Sequence, residues 1–403
     1  MSYIEEWRRS IRPLIAASLA TGTSLSLFAY TNSVFAPHLI KEFGWSRAQF
    51  SLIAVTMLLT LPILPLVGRL TDRLGVRRVA LIGVLLMPLG FIGYSQMRGD
   101  FTSYLVIFTA ILMIGSMTGP LVFSRLIAAN FDKAQGLALT VINCTPAVIA
   151  IPLAPALNLS IEAFGWRATY LVLGAFVLVS GLIAVLLVKD EPPVAGAPPP
   201  EMPRPAREDY GIIFKSKLFW VIVAGFFFCL LQTQLHSSQM NLMLIDNNLT
   251  MQMAANVVSV YALGTLVGRI VCGITLDLFS TRAVTVISMG LPAFGFLLLA
   301  SDMNSLPVIS FAMFLVGLSV GAESDLICYL VSRYFKLRIY GTTLGLVHTT
   351  TFLSSAVGGL AIGLTLMVSD SYTPFLYIAA GSILVGSLLF LLLPKGREAV
   401  KIG

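Results

Sequence analysis

The sequence predicts an all-α membrane protein in which twelve transmembrane helices form two pseudo-symmetric six-helix bundles. Three observations carry this reading. The 403-residue chain is 57% hydrophobic and 11% charged, with a mean hydropathy of +0.89, far outside the range of soluble domains. Apolar runs long enough to cross ~30 Å of hydrocarbon recur along its whole length. A segment with seven prolines and charges of both signs, residues 189–216, interrupts the pattern after the sixth run. It reads as an extended linker that buries no core.

The runs lie at about 13–37, 48–70, 79–97, 103–127, 137–159, 168–188, 217–240, 254–276, 283–301, 305–330, 341–367 and 373–393. The expected organisation is therefore a bundle over 1–188, a cytoplasmic linker over 189–216 and a second bundle over 217–403. The first run follows Arg8, Arg9 and Arg12, as a signal peptide would. Its length and the spans behind it make it a membrane helix instead. Pro62, Pro65, Pro146, Pro152 and Pro155 fall within spans two and five, where proline is tolerated as a kink.

A net charge of +7 invites a nucleic-acid partner, but its distribution excludes one. With the N-terminus inside the cell, the cations fall at cytoplasmic ends apart from Lys41, Arg47, Arg98, Arg167 and the intramembrane Arg269. That is the positive-inside bias, and it places both termini in the cytoplasm. Cys144, Cys229, Cys272 and Cys328 all lie inside spans without metal-like spacing, and read as small core residues. No P-loop, H-E-x-x-H or C-x-x-C string occurs, so ATP coupling and zinc chemistry have no support and no cofactor or metal is expected. Gly317-Leu-Ser319-Val-Gly321 spells a nucleophile elbow, but within a membrane helix its small residues serve packing and not catalysis. The chain is not read as an enzyme.

The two halves repeat. Gly68-Arg-Leu-Thr-Asp72-Arg73-Leu-Gly75-Val-Arg77 follows span two, and Gly273-Ile-Thr-Leu-Asp277-Leu-Phe-Ser-Thr-Arg282 follows span eight. The same offset carries Gly136 onto Gly341 and, within one residue, Phe131 onto Phe335. Parallel repeats of this kind imply a binding site near the midplane between the halves.

Arg269 lies in Val257–Leu276, a stretch that contains no acid. A guanidinium at that depth costs at least ~2.5–3.5 kcal/mol and faces a partner or a watery path. Its forked donors suit a carboxylate. Glu323 and Asp325 lie inside span ten, where acids mark proton routes or ion pairs. At i and i+2 they point about 200° apart, so they form no dyad. One is expected to face the cavity, Asp325 being preferred, and the other a neighbouring helix; the plainer reading pairs them with Arg333 or Arg125 as a gate. His348 lies mid-span in span eleven, and its repeat counterpart is Asn143 in span five. A histidine there supplies positive charge only as the imidazolium. Tyr30, Thr31 and Asn32 in span one, with Gln232, Gln234, His236 and Gln239 in span seven, outline a polar vestibule. Phe28 and Phe226, Phe227 and Phe228 read as core or lipid-facing residues.

The element Gly68-x-x-x-Asp72-Arg73-x-Gly75-x-Arg77-Arg78 resembles the loop motif of the major facilitator superfamily, and the copy at 273–282 is similar to its decayed repeat. The resemblance implies the major facilitator fold over essentially the whole chain. It also implies a cytoplasmic latch of Asp72 with arginines, built where Gly68 and Gly75 let helices approach, with Asp277 and Arg282 as counterparts. Val34-Phe35-x5-Glu42-Phe43-Gly44-Trp45-Ser46-Arg47, Gly165-Trp166-Arg167 and Gly268-Arg269 look like the branch containing monocarboxylate transporters and the oxalate:formate antiporter. In that branch the arginine of span eight is implied to bind the substrate carboxylate. Animal monocarboxylate members carry a lysine where Tyr30 stands, and oxalate-type members carry one in span eleven, where this chain offers His348. A second fixed cation is missing, which argues against a small dicarboxylate.

The expected protein is thus a secondary transporter moving an organic monocarboxylate by alternating access with proton symport. Arg269, Tyr30, Asn143 and His348 would bind substrate, and Glu323 and Asp325 would couple protons or gate. Anion exchange and proton-coupled efflux of cationic or neutral drugs are the alternatives. The tails Met1–Arg12 and Lys395–Gly403 leave no room for a signalling domain, which sets a receptor aside. The expected partners are a small organic carboxylate, protons and the lipid bilayer, with a functional monomer in a bacterial inner membrane.

Overall fold

The computed structural model describes residues 3–45, 59–188, 205–240, 243–244, 249–301, 305–369, 371–394 and 402. Among them the regular structure is helical, apart from one isolated bridge between Phe335 and Ile402. The first half contains α1 (Tyr3–Gly22), α2 (Leu25–Phe43), α3 (Ile63–Leu74), α4 (Val76–Ser95), α5 (Phe101–Gly115), α6 (Pro120–Asn130) and α7 (Gln135–Leu187). The second contains α8 (Ala206–Lys215), α9 (Lys217–Cys229), α10 (Met251–Leu278), α11 (Thr281–Ala300), α12 (Leu306–Tyr334), α13 (Tyr340–Ser369) and α14 (Thr373–Leu389).

Nine helices among the described residues are long and apolar enough to cross a membrane, ten if the bent pair α8–α9 forms one span. They correspond to spans three to twelve of the sequence. Span two overlaps residues outside the described set, and span one is broken. Its break falls at Thr23–Ser24, between α1 and α2. Thr21 Oγ1 donates to the carbonyls of Ala17 and Ile142, Thr23 Oγ1 to Leu19 and Ser24 Oγ to Thr21. Such local side-chain bonds compete with the helical ladder and end it.

Two further departures from the sequence reading have simple causes. α7 carries spans five and six as one run that kinks at Gly165, where φ is 79° and ψ is 160°. The last third of the expected extended linker is the helix α8. Ala206–Lys215 lacks proline and places Glu208 and Asp209 in its first turn, where acids complement the helix dipole.

The chain forms two compact units, Met1–Asp209 with Lys336–Leu346, and Tyr210–Phe335 with Val347–Gly403. In the first, aromatic residues fill the core around Phe28, Phe35, Phe91, Tyr94, Tyr104 and Tyr170, with Phe35 stacked on Tyr170 at 3.9 Å. In the second, Phe296, Met313, Val316, Phe375 and Ile383 form the centre of an aliphatic and aromatic core. The repeat is visible in the backbone. Phe131 ends α6 at φ −124°, ψ 137°, and Phe335 ends α12 at φ −117°, ψ 143°.

Candidate functional site

Arg269 is positioned by a seam of small residues. Gly264 and Gly268 on α10 face Gly317 and Gly321 on α12. A Cβ at Gly268 would overlap the Leu318 carbonyl, and one at Gly321 the Thr265 carbonyl. Small-xxx-small spacing on both helices lets their backbones touch, the usual means of close association in a membrane. The nucleophile-elbow string is therefore one side of a helix–helix contact. Next to the seam, Arg269 Nε donates to the Gly321 carbonyl at 3.3 Å, and the side chain stays half-buried.

One turn on from the seam, the two acids of α12 diverge as their spacing requires. Glu323 is half-buried, and its charge acts on the Arg269 guanidinium, on the Tyr261 phenol and on Cys229. Asp325 is fully buried, and with Arg269 and Asp277 it bears on the Cys272 thiol. Of the pair, Glu323 and not Asp325 keeps part of its surface open beside Arg269. Arg125, considered as a partner for these acids, instead pairs with Asp72.

Tyr261, Thr265 and Arg269 follow one another at i, i+4 and i+8, one stripe of α10. The His236 ring lies 5.7 Å from the Tyr261 ring, and His236 Nδ1 contacts Gln232 Oε1 at 2.7 Å. Leu235–Gln239 is a π-helical turn, a local widening that recurs at functional sites. Ser355 donates to Gln234 at 3.3 Å and Tyr372 to Gln239 at 3.0 Å. The span-seven glutamines are thus tied to spans eleven and twelve. His348 is half-buried in α13 of the second unit, and Asn143 is buried in α7 of the first. The side chains of Tyr30 and Asn32 lie outside the described residues. Tyr261 was absent from the sequence-derived list, although its spacing from Arg269 was a usable signal.

The loop motif folds around Asp72 inside the first unit. Asp72, just past span two, accepts Arg125 Nη1 at 2.9 Å and the Gly341 amide at 2.8 Å. Its second oxygen takes the Thr342 amide at 2.7 Å and the Thr342 hydroxyl at 2.8 Å. These amides open α13, so the carboxylate caps a helix N-terminus, where negative charge is favoured. Burial pushes the Asp72 carboxyl up to about 6, a rise that Arg125, Thr342 and Gly341 only partly offset. Gly68 is required because a Cβ there would overlap the Gly341 carbonyl, and Gly75 turns the chain at φ 81°. Arg73 is exposed, and Arg77 and Arg282 are half-buried. Asp277 is buried near the end of α10.

Two clasps went unrecognised in the sequence. Glu6 accepts the amides of Asp132, Lys133 and Ala134 at 2.7–3.0 Å, fixing the turn between spans four and five. Arg69 pairs with Asp209 at 3.1 Å, both largely buried. At the other end of the first unit, Glu42 accepts Trp166 Nε1, and Arg167 Nη1 at 2.8 Å. The Trp166 bond, against the opposing effect of burial and with help from Arg167, holds Glu42 below the ordinary carboxylate range. The strings around Glu42 and Gly165 are therefore halves of one clasp between spans one and six.

The model of the Major Facilitator Superfamily matches residues 17–245 and 225–402. The chain is 26% identical to human monocarboxylate transporter 11 over 407 residues, covering 94% of this chain and 82% of that protein. A solved structure of the E. coli fucose:proton symporter superposes with a TM-score of 0.75 at 14% identity, covering 97% of this chain and 99% of that one. A human organic anion transporter, MFSD10, superposes at 0.67 with 15% identity, covering 95% and 99%. The chain belongs to the Major Facilitator Superfamily and is a multi-pass membrane transporter of the twelve-helix major facilitator fold, not an enzyme.

Proposed function

We propose that the protein moves an organic monocarboxylate across the plasma membrane by alternating access, together with a proton. The observation that carries this reading is the placement of Arg269. It stands half-buried in the middle of a membrane helix, anchored through Nε to a backbone carbonyl, with Glu323 acting on it from the adjoining helix. A guanidinium fork held at this depth has the planar donor geometry that matches a carboxylate. The name of the human relative, a monocarboxylate transporter, supports the same substrate class.

The charge arithmetic then favours symport. Arg269 and ionised Glu323 sum to zero. A bound monoanion adds a negative charge, and protonation of Glu323 removes one. Closing a low-dielectric site over a neutral set costs far less than closing it over a net charge. Tyr261, on the same stripe as Arg269, and His236, whose ring lies 5.7 Å from that of Tyr261, are the proposed hydrogen-bonding groups for the rest of the substrate. Asn143, His348 and Tyr30 are proposed to contribute to recognition, and Asp325 to hold Arg269 in place.

The test is uptake of radiolabelled short and aromatic monocarboxylates into proteoliposomes, with and without an inward proton gradient. Arg269→Ala is expected to lower kcat/KM by at least about 100-fold, the loss of a charged hydrogen-bonding pair worth ~3 kcal/mol. Glu323→Gln is expected to abolish gradient-driven uptake while sparing exchange between preloaded and external acid. Uptake in Arg269→Ala equal to wild type would refute the carboxylate role. Loss of exchange together with uptake in Glu323→Gln would refute the proton role.

A further inference from the structure

Among the motif residues outside the bonds around Asp72, Arg282 has a setting of its own. Arg282 occupies the first turn of α11, after Ser280, whose hydroxyl accepts the Ala283 amide at 3.4 Å. A cation here runs against the helix dipole, whose positive end lies at the same place. Among the described residues Arg282 makes no hydrogen bond or ion pair; its charge is felt by the Tyr334 phenol. It opens instead into a cleft of about 480 Å³ lined by Ser280, Arg282, Ala283, Val286, Ile287 and Leu391. The cleft has one charged end. Its remaining wall is almost wholly apolar, running up α11 against the turn Phe390–Leu392 that follows α14.

The surroundings say what fills it. Leu278, Ile287 and Leu392 are 67%, 62% and 66% exposed in the isolated chain, and all belong to helices of a membrane protein. That surface meets hydrocarbon, not water. The charged end lies where the positive-inside pattern puts the cytoplasmic face, at headgroup depth. Basic pockets between helices at that depth suit anionic headgroups. A free phosphate would satisfy Arg282 but leave the apolar wall uncovered. A zwitterionic lipid would cover the wall but bring its own ammonium to a doubly positive spot.

We propose that this cleft binds one anionic phospholipid from the cytoplasmic leaflet, its phosphate on Arg282 and an acyl chain along Val286, Ile287 and Leu391. The site lies wholly within the second unit and is independent of the substrate assigned above. Lipid occupancy would offset the Arg282 charge at the helix start and bridge spans nine and twelve.

Native mass spectrometry of the full chain, released from nanodiscs of equimolar phosphatidylglycerol and phosphatidylcholine, tests this directly. The wild type is expected to retain phosphatidylglycerol preferentially, and Arg282→Gln to lower that retention about fivefold, the effect of one basic residue at a membrane surface. Arg282→Lys keeps the charge and is expected to restore most of the preference. Val286→Trp fills the acyl track while leaving Arg282 intact and is expected to reduce retention as well. Water-soluble glycerol phosphate at millimolar concentration is expected to displace nothing. Equal phosphatidylglycerol retention by wild type, Arg282→Gln and Val286→Trp would overturn the proposal. So would displacement by glycerol phosphate, which would mark a soluble-anion site. Thermal melting in detergent checks that each variant is folded, and Arg282→Lys keeps the comparison decisive if Arg282→Gln is not.

Discussion

Asp72 concentrates the physics of this protein at the scale of a single residue. Four donors converge on one carboxylate, yet burial still lifts its pKa to about 6 from an ordinary 3.8. The contact that buries it therefore takes up a proton between those values. Its stability falls as pH rises through the window and is greatest below it. Lowering pH from 7 to 5 should strengthen the contact about tenfold. Amide exchange at Gly341 and Thr342, corrected for intrinsic rates, should slow by that factor, and Asp72→Asn should flatten the dependence. An unchanged pH profile in the variant would show that another group titrates. Glu6 is a second case, with three backbone amides on one carboxylate. Glu6→Ala strands those donors and should cost about 2–3 kcal/mol in a detergent melt. Nothing in the sequence marked Glu6, because its partners lie far along the chain. Asp72 was legible because a motif surrounds it.

At the scale of elements, the glycine seam between α10 and α12 decides where Arg269 and Glu323 stand. Both helices press backbone to backbone, so added volume has nowhere to go. Gly321→Ala should lower the stability of the second unit by about 1–3 kcal/mol, in the range of overpacked cores. Because Arg269 Nε binds the Gly321 carbonyl, the same change should raise KM for carboxylate more than it lowers kcat. A melting point and KM both matching wild type would mean the seam yields freely. Arg269 was evident in the sequence from its cost in a membrane. The reason it sits beside Glu323 was not, since Gly317 and Gly321 read as small packing residues whose partner helix was unknown until the opposing glycines were seen in register.

At the scale of the molecule, the fold itself does not choose a substrate. The same architecture carries a fucose:proton symporter and an organic anion transporter. The choice falls to a few charges in the spans, and their sum leads to a measurable consequence. If a monoanion enters with one proton, no net charge crosses the membrane. Uptake driven by a fixed pH gradient should then be indifferent to a potassium–valinomycin potential of either sign, to within about 20%. A steep voltage dependence would require a different proton count, since one elementary charge moving through 100 mV is worth ~2.3 kcal/mol.

The sequence by itself determined the class, the two halves, the membrane helices and the place of the loop motif. These follow from local and periodic properties: runs of apolar residues, the placement of cations, and a spacing repeated once. Only the tertiary structure decided which residues act together. It broke span one at a cluster of hydroxyls, turned part of the expected linker into α8, joined Glu42 to Trp166 and Arg167, and set Glu323 rather than Asp325 open beside Arg269. Those outcomes depend on the rotation and register of packed helices. A shift of one residue turns a side chain by about 100°, and no span's composition fixes that angle without its neighbours.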